Sequence, residues 1–297
     1  MSKLRVGVIR GGVSTEREVS LKTGSEIVAN LNRDKYEVFD IVIDTEKEVY
    51  EKIKDLNLDF AYIALHGVFG EDGRIQAILQ SLGIAYSGPG VMSSAVCMDK
   101  EFSKRIVSEY GVRIAKWKSV RVGETVDFET VKKELGDHLI VKPNNGGSSI
   151  GVSFVETEEE LKKGLELVFG MDKEALIEEV LHGVEISVPV IGGKVFPTIR
   201  IEALAGDYFD YESKYAKGGA KEYVFEFPEK VQAEINKFAQ DSYYGLKSNS
   251  KQDIIETYVM KSINDMTIGL FAFLISSLII CCLMLLFIHK RPITNDK

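Results

Sequence analysis

The chain has 297 residues, 45% of them apolar, a net charge of −8 and three cysteines. That is enough apolar material for one to three domains with buried cores, and an acidic balance with no basic stripe excludes a nucleic-acid binder. Cys97, Cys281 and Cys282 have no metal-ligand spacing and are too few for a disulfide framework, so a reducing compartment is expected, and the opening residues give no expectation of a secretory signal.

In chain order, Leu4 to Ile9 alternates and is β-branched, which predicts a strand, and Gly11-Gly12 turns it. Thr15-Glu16-Arg17-Glu18 has the form of a capping box, with Thr15 as N-cap and Glu18 reaching back, so a helix is expected to about Leu31. Strands are expected at Val38 to Asp44 and Phe60 to Leu65, with helical material between. Strand, Gly turn, helix, strand is a parallel α/β pattern. The full GxGxxG is absent, which leaves a dinucleotide-binding reading weak. Glu16 fits two roles: a first-turn acid complementing the helix dipole, or a carboxylate at the mouth of the sheet holding a substrate ammonium. His66 closes the third strand and fits a structural hydrogen bonder as well as a site residue, since strand ends collect sites in open α/β sheets. Arg74 to Leu82 reads as an amphipathic helix, Ile84 to Ser87 as a short strand, and Gly88-Pro89-Gly90 breaks it before a domain boundary near Val96.

Met98-Asp99-Lys100 opens a helix to Tyr110; a lysine at a helix start needs an anion nearby or is simply exposed. Lys118 to Val122 (strand), Phe128 to Leu135 (helix), Glu158 to Phe169 (helix) and Ala175 to Val180 (strand) give a middle segment of α+β type. Within it, His138 to Val141 and Ile150 to Val155 predict two strands joined by a loop of small residues. Lys142 stands where the first strand ends, and backbone N–H groups from Gly146 to Ser149 can curl round an anion. The same pattern fits a plain hairpin with a long polar turn. Glu185 to Ile191, Gly192-Gly193 and Lys194 to Glu202 read as a hairpin. Leu204 to Lys221 reads as a long loop, in which Lys214 and Tyr215 are surface residues or clamps beside a phosphate site. A helix follows from Glu229 to Lys247.

In line, these pieces resemble the D-alanine–D-alanine ligases of the ATP-grasp class. The resemblance rests on Thr15-Glu16-Arg17-Glu18-Val19-Ser20, Ala64-Leu65-His66-Gly67, Gly70-Glu71-Asp72-Gly73, Met98-Asp99-Lys100, Val141-Lys142-Pro143, Gly147-Ser148-Ser149, Ile177-Glu178-Glu179 and Phe209-Asp210-Tyr211-Glu212-Ser213-Lys214-Tyr215, and runs from Leu4 to about Leu246. It implies an α/β fold: an N-terminal parallel α/β substrate-binding domain at 1–96, a central α+β ATP-grasp domain at 97–184 and a truncated C-terminal domain at 185–247. It implies ligation of two D-alanines, for peptidoglycan precursors, through an acyl phosphate made from ATP with Mg2+. Carried over by resemblance, Lys100, Lys142 and Lys214 meet the phosphates, and Gly147 and Ser149 belong to the loop over them. Glu178 and the backbone near Leu181 meet adenine, and Glu185 meets the ribose. Glu16 holds the first D-alanine's ammonium, linked through Ser148 to Tyr215, with His66 also in the substrate site. Relatives that make the D-lactate ester lack the Lys-Tyr pair, so Tyr215 implies the dipeptide. The family is commonly dimeric, which makes a homodimer an expectation.

The resemblance stops after Tyr243-Tyr244-Gly245-Leu246-Lys247. The family's Arg and Asp strand and its Glu-x-Asn are absent, and with them the magnesium ligands; Asp253, Glu256, Asn264 and Asp265 follow no strand pattern. Residues 248–267 read as a linker, Ile268 to Ile288 as 21 residues without a charge, and 289–297 as a tail. At about 1.5 Å per residue the run spans roughly 31 Å, one hydrocarbon core, which predicts a transmembrane helix anchoring a cytoplasmic enzyme to the inner face of the membrane. Two readings stand: a working ligase, or a catalytically impaired nucleotide-binding module that is membrane-tethered or a truncated or fused product.

Overall fold

The computed structural model describes residues 2–203, 220–246 and 288–289. Contacts divide them into two compact units. The first holds 2–98 with 190–194 and 243–246; the second holds 99–189, 195–203, 220–242 and 288–289.

The first unit runs β1 (Leu4–Gly11), α1 (Arg17–Asn30), β2 (Tyr36–Ile43), α2 (Glu48–Ile53), β3 (Phe60–Ile63), α3 (Arg74–Ser81), β4 (Ala85–Tyr86) and α4 (Val91–Met98). The strands make one parallel sheet in the order β2-β1-β3-β4, and parallel neighbours require the crossover helices. Adjacent strand residues face opposite sides. Val8 packs with Ile27 and Tyr62, while Ile9 packs with Ile43, Val49, Ile75 and Leu79. β1 is buried on both faces from Val6 to Ile9, so the apolar-polar alternation expected from its sequence is confined to Leu4 to Val6.

Two expectations fail here. The capping box at Thr15 does not form: α1 starts at Arg17 with Glu16 at the cap position and no side-chain cap. Ser14 organises the turn instead. Its Oγ donates to the His66 carbonyl at 2.7 Å and accepts from the Glu16 amide at 3.2 Å, drawing the turn onto the segment after β3. The second miss is α4, which begins directly after a stretch that reads only as a breaker.

The second unit opens with α5 (Lys100–Glu109), β5 (Trp117–Arg121), α6 (Phe128–Leu135), β6 (Leu139–Pro143), β7 (Ser153–Val155), α7 (Glu158–Phe169) and β8 (Glu174–Glu179). Its sheet is antiparallel in the order β5-β8-β6-β7. Val141, Val155, Leu161, Val168 and Ile177 form its core with α6 and α7 residues. The strand expected from Ile150 starts only at Ser153, so the connection from β6 is longer than predicted, 144–152. Next, β9 (Gly183–Ser187) pairs antiparallel with β12 (Ile199–Ala203), beyond a tip made by β10 (Val190–Ile191) and β11 (Lys194–Val195). The loop expected to reach Lys221 ends earlier: β13 (Ala220–Val224) pairs along β12, Val224 opposite Ile199. α8 (Glu229–Leu246) follows.

No helix among the described residues is long and apolar enough to cross a membrane. Of the apolar run, 268–287 lies outside the described residues. Its last member, Ile288, is a correction to the expected span. With His289 it forms β14 (Ile288–His289), paired to Val184 and Gly183, where an open strand edge offers unpaired backbone groups.

Candidate functional site

In the second unit, lysines gather on one face of the sheet. Ile140 lies opposite Glu178, so Lys142, two residues along β6, shares the face with it. The Lys142 Nζ donates to Glu178 Oε2 at 2.8 Å. Lys104, one helical turn after Lys100, brings its Nζ to 3.2 Å from Glu178 Oε1, 3.1 Å from the Ala115 carbonyl and 5.3 Å from the Trp117 ring centroid. Burial alone would raise the Glu178 carboxyl, but the Lys142 and Lys104 charges outweigh it and hold the group below its ordinary value. Lys100 donates to the carbonyls of Asn144 at 3.1 Å and Gly146 at 2.8 Å. Burial, then repulsion by Lys142, lowers its amine to about 8. Two amines, those of Lys104 and Lys142, thus pair with Glu178, while Lys100 beside them is held by carbonyls and feels Glu178, Asp172 and Asp99 at longer range.

The connection 144–152 runs beside these amines. Gly146 (φ 107°), Ser148 (52°), Ser149 (58°) and Gly151 (76°) all take left-handed backbone conformations. Left-handed residues interspersed with right-handed ones are the backbone from which anion nests are built, although Ser148 and Ser149 are consecutive here and the Ile150 amide bonds to the Gly147 carbonyl. For the serines the left-handed conformation costs about 1 kcal/mol each, strain typical of ligand-holding segments. Gly151 has no room for a side chain, since a Cβ would stand 2.7 Å from Met171 Sδ and 3.0 Å from Pro143 Cγ. At the other end the Asn145 amide donates to Asp172 Oδ2 at 2.7 Å. Phosphate oxygens are the ligand these features suit: charge, nest and small residues coincide. Gly147 is exposed within the connection, Leu181 is half-buried between β8 and β9, and Glu185 lies on β9 opposite Ile201.

The first unit carries groups of opposite character. Glu16 is buried, and its Oε2 stands 2.8 Å from where a Gly67 Cβ would be, so only glycine (φ 66°) fits there. His66 is buried too; its Nε2 is 3.3 Å from Thr23 Oγ1, and its Nδ1 faces Glu71 Oε1 at 3.7 Å. Glu71 Oε2 accepts from the Gly67 amide at 2.8 Å, and burial raises its carboxyl above the ordinary value. Ser20 fixes the floor, accepting from the Gly11 amide and donating to the Ala64 carbonyl. Acids around a histidine suit a small cationic group.

Of the residues expected in the site, Lys100, Lys142 and Glu178 meet around the glycine connection, and Glu16 and His66 meet around Gly67. Lys214 and Tyr215, and with them the Glu16–Ser148–Tyr215 line, lie outside the described residues. Lys104, Glu71 and Asn144 were not singled out from sequence. Lys104 could have been found from its spacing of four from Lys100 on one helix. Among the described residues no group of three or more His, Cys, Asp or Glu is placed to hold a metal ion; Asp253, Glu256, Asn264 and Asp265 lie outside them.

Comparison with known proteins gives two family matches: "D-ala D-ala ligase N-terminus" over residues 5–56 and "D-ala D-ala ligase C-terminus" over 106–257. The chain is 44% identical over 256 residues to a D-alanine–D-alanine ligase of Clostridium beijerinckii, covering 86% of this chain and 84% of that protein. The fold is similar to a crystal structure of D-alanine–D-alanine ligase from Bacillus anthracis complexed with ATP: TM-score 0.72, 40% identity, 82% of this chain and 78% of that one. It is also similar to the VanG D-Ala:D-Ser ligase from Enterococcus faecalis, with TM-score 0.70, 29% identity, and 82% and 83% coverage.

Proposed function

The chain belongs to the D-alanine–D-alanine ligase family, and from that premise we propose that it joins two D-alanines into D-alanyl-D-alanine with ATP, supplying peptidoglycan precursors in the cytoplasm. The observation that carries the proposal is that Lys100 bonds into the left-handed connection 146–151 and that Lys104 and Lys142 pair with Glu178 beside it. In this reading the first D-alanine's carboxylate takes the γ-phosphoryl group of ATP, and ADP leaves. The amine of the second D-alanine attacks the acyl phosphate, loses a proton, and expels inorganic phosphate as the peptide bond forms.

Each residue then has a physical task. Lys100 and Lys142, with Lys214, neutralise the phosphates, the main work in phosphoryl transfer. Gly147 and Ser149 supply backbone donors, Glu178 and the Leu181 backbone meet adenine, and Glu185 meets the ribose. Lys104 holds the Glu178 carboxylate in place. Glu16 takes the first D-alanine's ammonium beside His66, with Ser148 and Tyr215 completing the line. Tyr215 favours an amine over a D-lactate hydroxyl as acceptor. Exclusion of water guards the acyl phosphate from hydrolysis. The family's reaction uses Mg2+ to neutralise phosphate charge; the described residues hold no cluster for it.

A second reading has a specific observation behind it: beyond Lys247 the sequence contains no Glu-x-Asn, although the C-terminal family match runs on to residue 257, and in this reading the protein is a nucleotide-binding module with little turnover. The uncharged run, without Ile288, would tether either version to the membrane, and a homodimer fits either. The test is phosphate release dependent on D-alanine and Mg2+. Release at enzymatic rates supports the ligase, ATP binding without release supports the module, and indifference to ATP removes both. For the tether, sedimentation of the full chain with membranes, abolished by ending the chain at Lys247, is expected; an unaltered soluble fraction would remove that part.

A further inference from the structure

Asn144 directly follows β6 and is completely buried, an uncommon place for an amide. Its contacts account for the burial. The backbone amide donates to the Glu174 carbonyl at 3.0 Å, and the side-chain Nδ2 lies 3.5 Å from Glu174 Oε2. Its Oδ1 accepts from the Glu101 amide at 2.9 Å. Its carbonyl accepts twice from Lys100, from the backbone amide at 3.2 Å and from Nζ at 3.1 Å. One residue therefore joins the glycine connection, the first turn of α5 and β8.

A helix start leaves its first amides without intrahelical acceptors. In α5, Asp99 takes the Phe102 amide at 2.9 Å. Asn144 takes those of Lys100 and Glu101, so the helix is capped a second time, from the connection. The lysine that reaches into the connection sits on the very residue whose amide is held this way. A side chain needed only to fill a core would be apolar.

Resting on the ligase reading above, we propose that Asn144 is a positioning residue for the nucleotide phosphates: it fixes the Lys100 amine and the start of the glycine connection to one another without touching nucleotide itself. Asn144→Ala removes the Oδ1 acceptor of the Glu101 amide and leaves the backbone carbonyl that holds Lys100, so the first turn of α5 loses one of its ties to the connection and the Lys100 amine is held less firmly, while the sheet remains. The experiment titrates ATP, and separately adenosine, into the full-length chain and its variants by calorimetry. For Asn144→Ala the expected result is an ATP affinity lowered about tenfold, the scale of a lost helix cap, with adenosine affinity unchanged. Asn144→Ser keeps an acceptor that is too short to reach the Glu101 amide fully, and should lower ATP affinity by about threefold with adenosine affinity unchanged. A merely structural residue would weaken both ligands together, so equal losses for ATP and adenosine overturn the proposal. So does an ATP affinity in Asn144→Ala equal to the parent's. If the alanine variant does not fold, the serine variant is read in the same way, and an unchanged ATP-to-adenosine ratio in it overturns the proposal. Failure of the unsubstituted chain to bind ATP is a separate result: it removes the ligase reading and takes this inference with it.

Discussion

The two units solve opposite electrostatic problems with opposite sheets. In the first, a parallel sheet buried on both faces ends in a turn that holds Glu16, His66 and Glu71 together, with the acids in excess. In the second, an antiparallel sheet leaves one face for Lys142 and Glu178, and α5 adds Lys100 and Lys104, with the amines in excess. The first suits a small ammonium and the second a polyphosphate. The difference shows that charge at a strand end is tolerated only where the backbone is tied down around it, by Ser14 and Ser20 in one unit and by Asn144 and Asp172 in the other.

The largest way to break that contrast is Glu178→Ala. It strands two amines that are mostly buried, and breaking such a pair costs about 3 kcal/mol. Urea unfolding should show a loss of that size; an unchanged midpoint would mean that Lys142 and Lys104 find water instead. Next, Lys142→Ala should weaken ATP binding by about tenfold or more, the scale of one charge-assisted hydrogen bond, while the first unit's affinity for D-alanine holds. Glu16→Gln is the mirror experiment. It should raise the KM for D-alanine by about tenfold and leave ATP binding alone; an ATP effect of equal size would erase the division of labour.

Smaller effects sharpen the contrast through pH. The Lys100 amine, lowered to about 8, loses its charge as pH rises through that value. ATP affinity should therefore fall a few-fold between about pH 7 and 9; a flat profile would place the amine away from phosphate. Glu71 has the reverse sign. Its carboxyl is raised by burial, so the folded state holds the proton more tightly, and stability is lost as pH climbs above the ordinary carboxylate range. Glu71→Gln should therefore raise the melting temperature by a few degrees at about pH 8 and by less at about pH 5. A gain that does not vary with pH would point to packing alone.

Some of this was legible in the sequence because local chemistry and tertiary context agree. α6 and α7 occupy the expected residues, since Asp127 caps the first and Thr157 with Glu160 forms a true capping box on the second. Where they disagree, the local signal lost. Thr15-x-x-Glu18 has the right letters, yet Ser14 is bonded across the sheet and buried Glu16 takes the cap position. α4 has neither an acidic first turn nor a cap to announce it. β13, Ala-Lys-Glu-Tyr-Val, has no strand alternation, and the expected loop took in its first two residues; its pairing with β12 is what makes it a strand. Lys100, Lys142 and Glu16 each had a binding role among the alternatives that local sequence left open, and the family's pattern in their neighbours is what favoured it. Lys104 and Glu71 have a local signal, a spacing of four from Lys100 and from Gly67, but Lys104's bond to Glu178 and Asn144's bonds to α5 and β8 join distant segments, and no short window contains those.

Lys100 has one more consequence. Its ammonium already has two neutral acceptors within the protein, the carbonyls of Asn144 and Gly146. An ammonium has three donors, so in the ligase reading a phosphate oxygen takes the third while the two carbonyls keep the amine aimed. Nucleotide entry is then an addition to an amine already held in place, and the charged acceptor joins two peptide ones with no bond broken first.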